Sequence, residues 1–256
     1  MGIENLVISI TPEPIFHIKN FPITNTTIIT LIVSVIIIAV SFFARKRFKL
    51  VPKGAQNVIE TVIEALLGMV DGVTGDRKQT KIFFPLVATI FIFVILINWV
   101  ELIPGLGTIG IKETHHGKEV ITPFIRSSSA DLNLTLAIAF VSVFSAQFAG
   151  IAFLGIRKYL SKFFVNPFKK PYFVGTFVGV LELISECAKI ISFSFRLFGN
   201  IFAGEVLLLL SLFLVPYFFN LLPLPFLFLE LFVGFIQALV FSMLTLVFLK
   251  SATIEH

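Results

Sequence analysis

Charge is scarce in this sequence. Asp, Glu, Lys and Arg fill only 14% of its 256 positions, while hydrophobic residues fill 57%. Soluble domains carry about 25% charged residues, and the mean hydropathy here is +0.99. A water-soluble domain is therefore excluded. Cysteine occurs once, as Cys187, so no internal disulfide can form. No Gly-x-x-x-x-Gly-Lys-Ser/Thr loop is present to cradle nucleotide phosphates. His115 and His116 are adjacent, but no carboxylate or cysteine stands at a clear ligand spacing from them. Neither a metal nor another cofactor is expected. No nucleic-acid-binding motif occurs, and the net charge of +5 fits basic residues flanking membrane spans. Alternating apolar stretches are missing too, which excludes a transmembrane β-barrel. The absence of an internal repeat weighs against many secondary-transporter folds. What remains is an all-α integral membrane protein.

Residues 1–26 mix polar and apolar positions around Pro12, Pro14 and Pro22 and read as an irregular outer segment. A first span is expected at 27–44, closed by the basic run Arg45-Lys46-Arg47-Phe48-Lys49. That span is long and ends in positive charge, so it reads as a retained span rather than a cleavable signal. Over 52–76, Val58, Val62, Ala65, Leu66, Met69 and Val70 recur at helical spacing, with Gln56, Glu60, Glu64 and Asp71 elsewhere round the helix. This is the pattern of an amphipathic surface helix. Further spans are expected at 82–103 and 130–156, separated by an outer loop at 104–129; Asp131 is a good helix starter. The apolar stretch 172–215 is too long for one upright crossing, so it either tilts strongly or breaks in two. No turn residues interrupt Lys189 to Leu197, which favours one tilted helix. Pro216, Pro223 and Pro225 mark the next turn, and 226–250 is the last span. The whole forms one membrane domain, 1–256, with about five spans. Only Lys19, Lys112, Lys118 and Arg126 fall outside on this map; the other cations outside the spans are cytoplasmic. By the positive-inside rule the N-terminus lies outside and the C-terminus in the cytoplasm.

One stretch resists a purely lipid-facing reading. Arg196 interrupts an apolar run, and an arginine keeps its charge. Centring such a residue in a bilayer costs at least about 2.5–3.5 kcal/mol, so it marks a functional site by default. On a wheel of ~100° per residue, Ser192, Lys189, Ser185, Glu182 and Asn200 all fall within ~40° of it. Glu205 falls on the opposite face. On the antiparallel last helix, Glu230 and Gln237 lie two turns apart on one face, with Gln237 level with Arg196. Glu205 and Glu230 can meet in the outer half, and Glu182 with Ser185 line the inner half. That order suggests a split proton path around a fixed cation, because a fixed positive charge repels protons.

The stretch Arg196-Leu197-Phe198-Gly199-Asn200, followed by Ala203-Gly204-Glu205, resembles the signature of subunit a of the rotary F-type ATP synthase. Ser129-Ala130-Asp131-Leu132-Asn133-Leu134-Thr135 is similar to the family's earlier Ala-Asp-x-Asn-x-Thr motif, and the Gln237-Ala238 helix to its C-terminus. The resemblance covers most of the chain. It implies a tilted helical hairpin, 172–250, packed on a ring of c subunits, with peripheral-stalk b subunits, the rest of the synthase and the lipid bilayer as further partners. Arg196 would be the stator arginine, with Asn200 and Gln237 beside it. Glu205 would serve the outer half-channel, and Glu182 with Lys189 the inner side. Some members carry histidine where Glu205 or Glu230 stands here. The implied role is non-catalytic: proton flow coupled to ATP synthesis on other subunits. The expected location is a bacterial plasma membrane. A stand-alone proton-coupled transporter or channel is the alternative, and it would work without a partner ring.

Overall fold

The computed structural model describes residues 14–19, 21–49, 51–100, 102–103, 110–115, 118–123, 127–161, 174–214 and 223–254. A hairpin of β1 (Pro14–Ile18) and β2 (Phe21–Thr24) leads into α1 (Asn25–Arg47). Thr24 caps that helix by accepting from the Thr27 amide at 3.3 Å, satisfying one of the free donors of a helix start. Then come α2 (Ala55–Thr74) and α3 (Arg77–Val100). A second hairpin, β3 (Gly110–His115) with β4 (Lys118–Pro123), and a 3-10 turn at Ser128–Ala130 lead to α4 (Leu132–Leu154). The short α5 (Ile156–Ser161), the long α6 (Val174–Leu214) and α7 (Pro223–Ala252) complete the order.

Five of these helices are long and apolar enough to cross a membrane: α1, α3, α4, α6 and α7. Inside a bilayer the helix is the economical solution, because every backbone N–H and C=O is satisfied within the segment. The bundle is strongly graded in burial. Half of the most apolar window of α3 is buried, against 11% for α1. Leu31, Val35, Ile38, Phe42 and Phe43 of α1 are all exposed. In water that surface would drive aggregation; against lipid tails it carries no penalty. The core forms where α3, α4, α6 and α7 meet, from Phe91, Val94, Ala139, Phe193, Leu197, Ile201, Ala238 and Phe241. Small residues bring the helices close, and Ser142 of α4 bonds Thr245 of α7 at 2.7 Å in a dry interface.

Three features depart from the sequence reading. The outer segment before the first span contains the β1–β2 hairpin rather than irregular chain throughout. The expected outer loop holds β3 and β4, paired from Gly110↔Pro123 to His115↔Lys118. Their β-branched residues, Ile111, Thr114, Val120, Ile121 and Thr122, suit a pleated surface; His116, between the strands, lies outside the described residues. The basic loop after α4 contains α5, which tucks Tyr159 back against the bundle with 4% of its surface exposed. The expected turn residue Pro216 also lies outside the described residues, and Pro223 opens α7.

Candidate functional site

Helix α6 organises the site. Its 41 residues run unbroken, a length of about 60 Å, twice the ~30 Å hydrocarbon layer. It therefore cannot stand upright in a membrane. Its inward stripe, Phe193, Leu197 and Ile201, is buried in the core. Phe193 packs on Phe241 and Phe248 of α7, with ring centroids 4.6 and 5.0 Å apart. Ser194 is fully buried and bonds Thr135 of α4 at 3.0 Å. The rotation of α6 is thus set, and its other face turns outward. On that face Ser185, Lys189, Ser192 and Arg196 line a groove of about 270 Å³, closed on one side by Leu244 and Phe248. Arg196 is exposed, and its guanidinium carbon lies 5.9 Å from the Phe193 ring centre, a distance at which a cation is attracted to an aromatic face.

One turn beyond Arg196, Asn200 donates to Gln237 Oε1 at 2.8 Å. Gln237 is buried, and its own Nε2 has no hydrogen-bond partner. Two turns along α7, Glu230 is buried with both carboxyl oxygens unpartnered. It lies directly on Gly204 of α6, where a Cβ would come within 2.7 Å of Oε1. Glu205, the next residue, is half-buried and within electrostatic reach of Glu230. A buried carboxyl group without hydrogen bonds is costly by several kcal/mol at least, which is why such groups mark sites rather than scaffolding.

On the other side of Arg196, Lys189 forms an ion pair with Glu186 at 2.8 Å, and its ammonium sits 5.1 Å from the Phe248 ring centre. The sequence reading set Glu182 with Lys189 on this side and passed over Glu186. Glu182 is half-buried on the same helix, but seven residues from Lys189, about 10 Å along the axis. Three residues is the spacing at which side chains on a helix meet, and that favours Glu186. Ser185 lies in the groove lining.

The end of the bundle near β1–β2 carries a polar network the sequence reading did not assemble. Asp131 caps α4 through the Asn133 amide at 2.9 Å and accepts from Thr26 of α1 at 2.7 Å. Ser128 donates to the Thr26 carbonyl at 2.8 Å. Asn98 of α3 accepts from Ser129 at 2.5 Å and donates to the Gly234 carbonyl at 3.1 Å. The partners come from distant parts of the chain, so the sequence showed Asp131 as a helix starter but not what it would hold. The Ala-Asp-x-Asn-x-Thr motif now has a physical account: Asp131 ties α4 to α1, and Thr135 ties it to α6 beside Arg196. Among the described residues no group of three or more His, Cys, Asp or Glu is arranged to hold a metal ion.

A family model described as ATP synthase A chain matches residues 27–250. The chain belongs to that family. It is 32% identical to ATP synthase subunit a of Moorella thermoacetica over 248 residues, covering 96% of this chain and 99% of that one. ATP synthase subunit a of Syntrophobacter fumaroxidans is 33% identical over 245 residues, with 96% and 90% covered. For that of Helicobacter pylori the figures are 33% over 244 residues, 94% and 96%. As an ATP synthase A chain, the protein is an all-helical, multi-pass membrane subunit. Its part is the non-catalytic, proton-translocating one, in the stator of an F-type synthase.

Proposed function

We propose that this subunit carries two offset proton half-channels separated by Arg196. The outer one reaches Glu205 and Glu230. The inner one follows the groove past Ser192, Lys189 and Ser185, with Glu182 further along the helix. Protons cross between them only on the carboxylate of a c subunit, as the ring turns against the α6–α7 hairpin. The peripheral-stalk b subunits hold the stator still against that torque. A proton arriving from outside passes by way of Glu205 and Glu230 onto an unprotonated ring carboxylate, and the neutralised site moves into lipid. On the far side of the turn the ring carboxyl meets Arg196, whose charge favours the ionised form and drives the proton into the inner groove. The driving force is about 2.3 kcal/mol per charge for each 100 mV.

The observation that carries this reading is the position of Arg196. The groove lining ends at Arg196 and includes neither Asn200, Gln237 nor Glu230. The buried carboxyl of Glu230 lies on the other side, beyond the Asn200–Gln237 bond. A cation exposed on the outward face, between a groove on one side and a buried carboxyl on the other, is placed to attract one anion from outside the chain.

Arg196→Ala tests it. In inverted membrane vesicles holding the whole synthase, ATP-driven acidification should vanish while ATP hydrolysis by the catalytic sector persists. Normal pumping in that variant would sink the proposal. Purified subunit alone in liposomes should conduct no protons above background, since the ring completes the route; fast conduction would favour a self-sufficient channel.

A further inference from the structure

The inner groove does not run freely to the end of the bundle. A second, smaller cleft, with room for about one water molecule, is lined by Ala146, Gln147, Glu186, Lys189, Phe248, Ser251 and Ala252. Lys189 and Phe248 belong to both linings. They stand where the groove that begins at Arg196 adjoins the smaller cleft. Lys189 is held there by Glu186 at 2.8 Å and by the Phe248 ring at 5.1 Å. Both members of the pair are largely buried, with side-chain exposures of 26% and 13%. An ordinary pair at this spacing decorates a solvated helix face and contributes only about 0.2–0.5 kcal/mol. This one stands between two recesses, and Glu186 is in the lining of only the outlying one.

We propose that the Lys189–Glu186 pair, backed by Phe248, is the gate of the inner half-channel, and that Glu186 is the carboxylate through which protons leave it. The inference rests on the half-channel reading above. A hydrated proton in the groove displaces Lys189 from Glu186. One O–H bond breaks on that hydronium and one forms on a Glu186 carboxyl oxygen, leaving water in the groove. The neutral carboxyl then loses the proton to water in the cleft, and Lys189 pairs with the carboxylate again. No other reactant is consumed.

The surroundings of the cleft support a fixed exit. Tyr159 of α5 donates its hydroxyl to Gln147 Oε1. Burial, and then the charges of Glu186 and Glu182, push that hydroxyl up to about 12, so at working pH it remains a donor and is no carrier itself. The bond orients Gln147 in the cleft wall. Gly150 makes room for the Tyr159 ring, with which any Cβ there would collide. Gln147, Tyr159 and Gly150 thus position the exit, and Glu186 is left to take and release the proton.

The test uses the whole synthase in inverted vesicles, on a Cys187→Ser background, because Cys187 is exposed and would react with thiol reagents. Passive proton flux is measured after the catalytic sector is stripped off. Glu186→Gln should lower it by about 10²-fold, the low end for a positioned acid–base group, and Glu186→Asp should retain most of it. Glu186→Cys should be slow, then recover with an anionic thiosulfonate and not with a cationic one. Undiminished flux in Glu186→Gln, or equal recovery with both reagents, would overturn the gate. So would failure of both Glu186→Gln and Glu186→Cys to assemble, which would assign the pair to packing. Arg196→Ala is run alongside. Normal flux in Glu186→Gln with pumping lost in Arg196→Ala overturns the gate alone. Normal pumping in Arg196→Ala overturns the half-channels themselves.

Discussion

Gly204 shows how a single residue without a side chain sets the position of one with chemistry. It is helical, so its conformational freedom is not needed there, and only its lack of a Cβ counts. In that space lies the carboxyl of Glu230, 2.7 Å from where a methyl carbon would stand. The obstructed atoms are the far end of a flexible chain, so Gly204→Ala should move Glu230 rather than break the helix pair. Assembly and thermal stability of the complex should then change little. ATP-driven pumping should fall by about tenfold, since displacing a reacting group by 1 Å can cost up to 10²-fold. The two readouts separate the site from the scaffold. A stability loss of several kcal/mol with pumping preserved per assembled complex would mean that Gly204 serves packing alone.

At the scale of elements, the ends of helices carry much of the information. Lys250 near the end of α7 donates to the Thr74 carbonyl and to Gln79 Oε1, both at 2.7 Å. Thr74 ends α2, and Gly75 follows in the left-handed region at φ 63°. A cation there satisfies free carbonyls and opposes the negative end of the helix dipole. Lys250→Met should cost about 1 kcal/mol and speed amide exchange selectively through residues 70–80; uniform exchange across the bundle would contradict it. This joint also shows what could be read from sequence. Asp131 marked the start of α4, and the absence of breakers kept α6 whole. Those signals are local. Glu186 was missed for a geometric reason: it falls ~80° from Arg196 on the wheel, off the narrow polar stripe, yet three residues from Lys189. The network of Asn98, Ser129, Asp131 and Thr26 was missed because its partners meet only after α1, α3 and α4 pack. The short β3 and β4 were hidden by lying between strong helical signals.

For the whole molecule, the decisive asymmetry is one of charge. Arg45, Lys46, Lys53, Arg77, Lys78, Arg157, Lys158 and Lys250 lie at or beyond the helix ends on one side of the bundle, because the five long helices α1, α3, α4, α6 and α7 alternate in direction. Lys19, Lys112 and Lys118 belong to the hairpins at the other side. Short loops rich in Lys and Arg stay on the cytoplasmic side of a membrane. The basic end should therefore face the cytoplasm, which sets the groove from Arg196 to Lys189 on the inner side and Glu230 toward the outside. Single cysteines at Lys78 and Lys112, on a Cys187→Ser background, can decide this. An impermeant thiol reagent applied to intact cells should label position 112 and spare 78; inverted vesicles should give the opposite pattern. The reverse result would exchange the entry and exit of the proposed route while leaving every contact around Arg196 as described. Orientation is thus separable from mechanism: the labelling pattern fixes which recess is the entry, and the flux through Glu186→Gln tests the gate whichever way protons run.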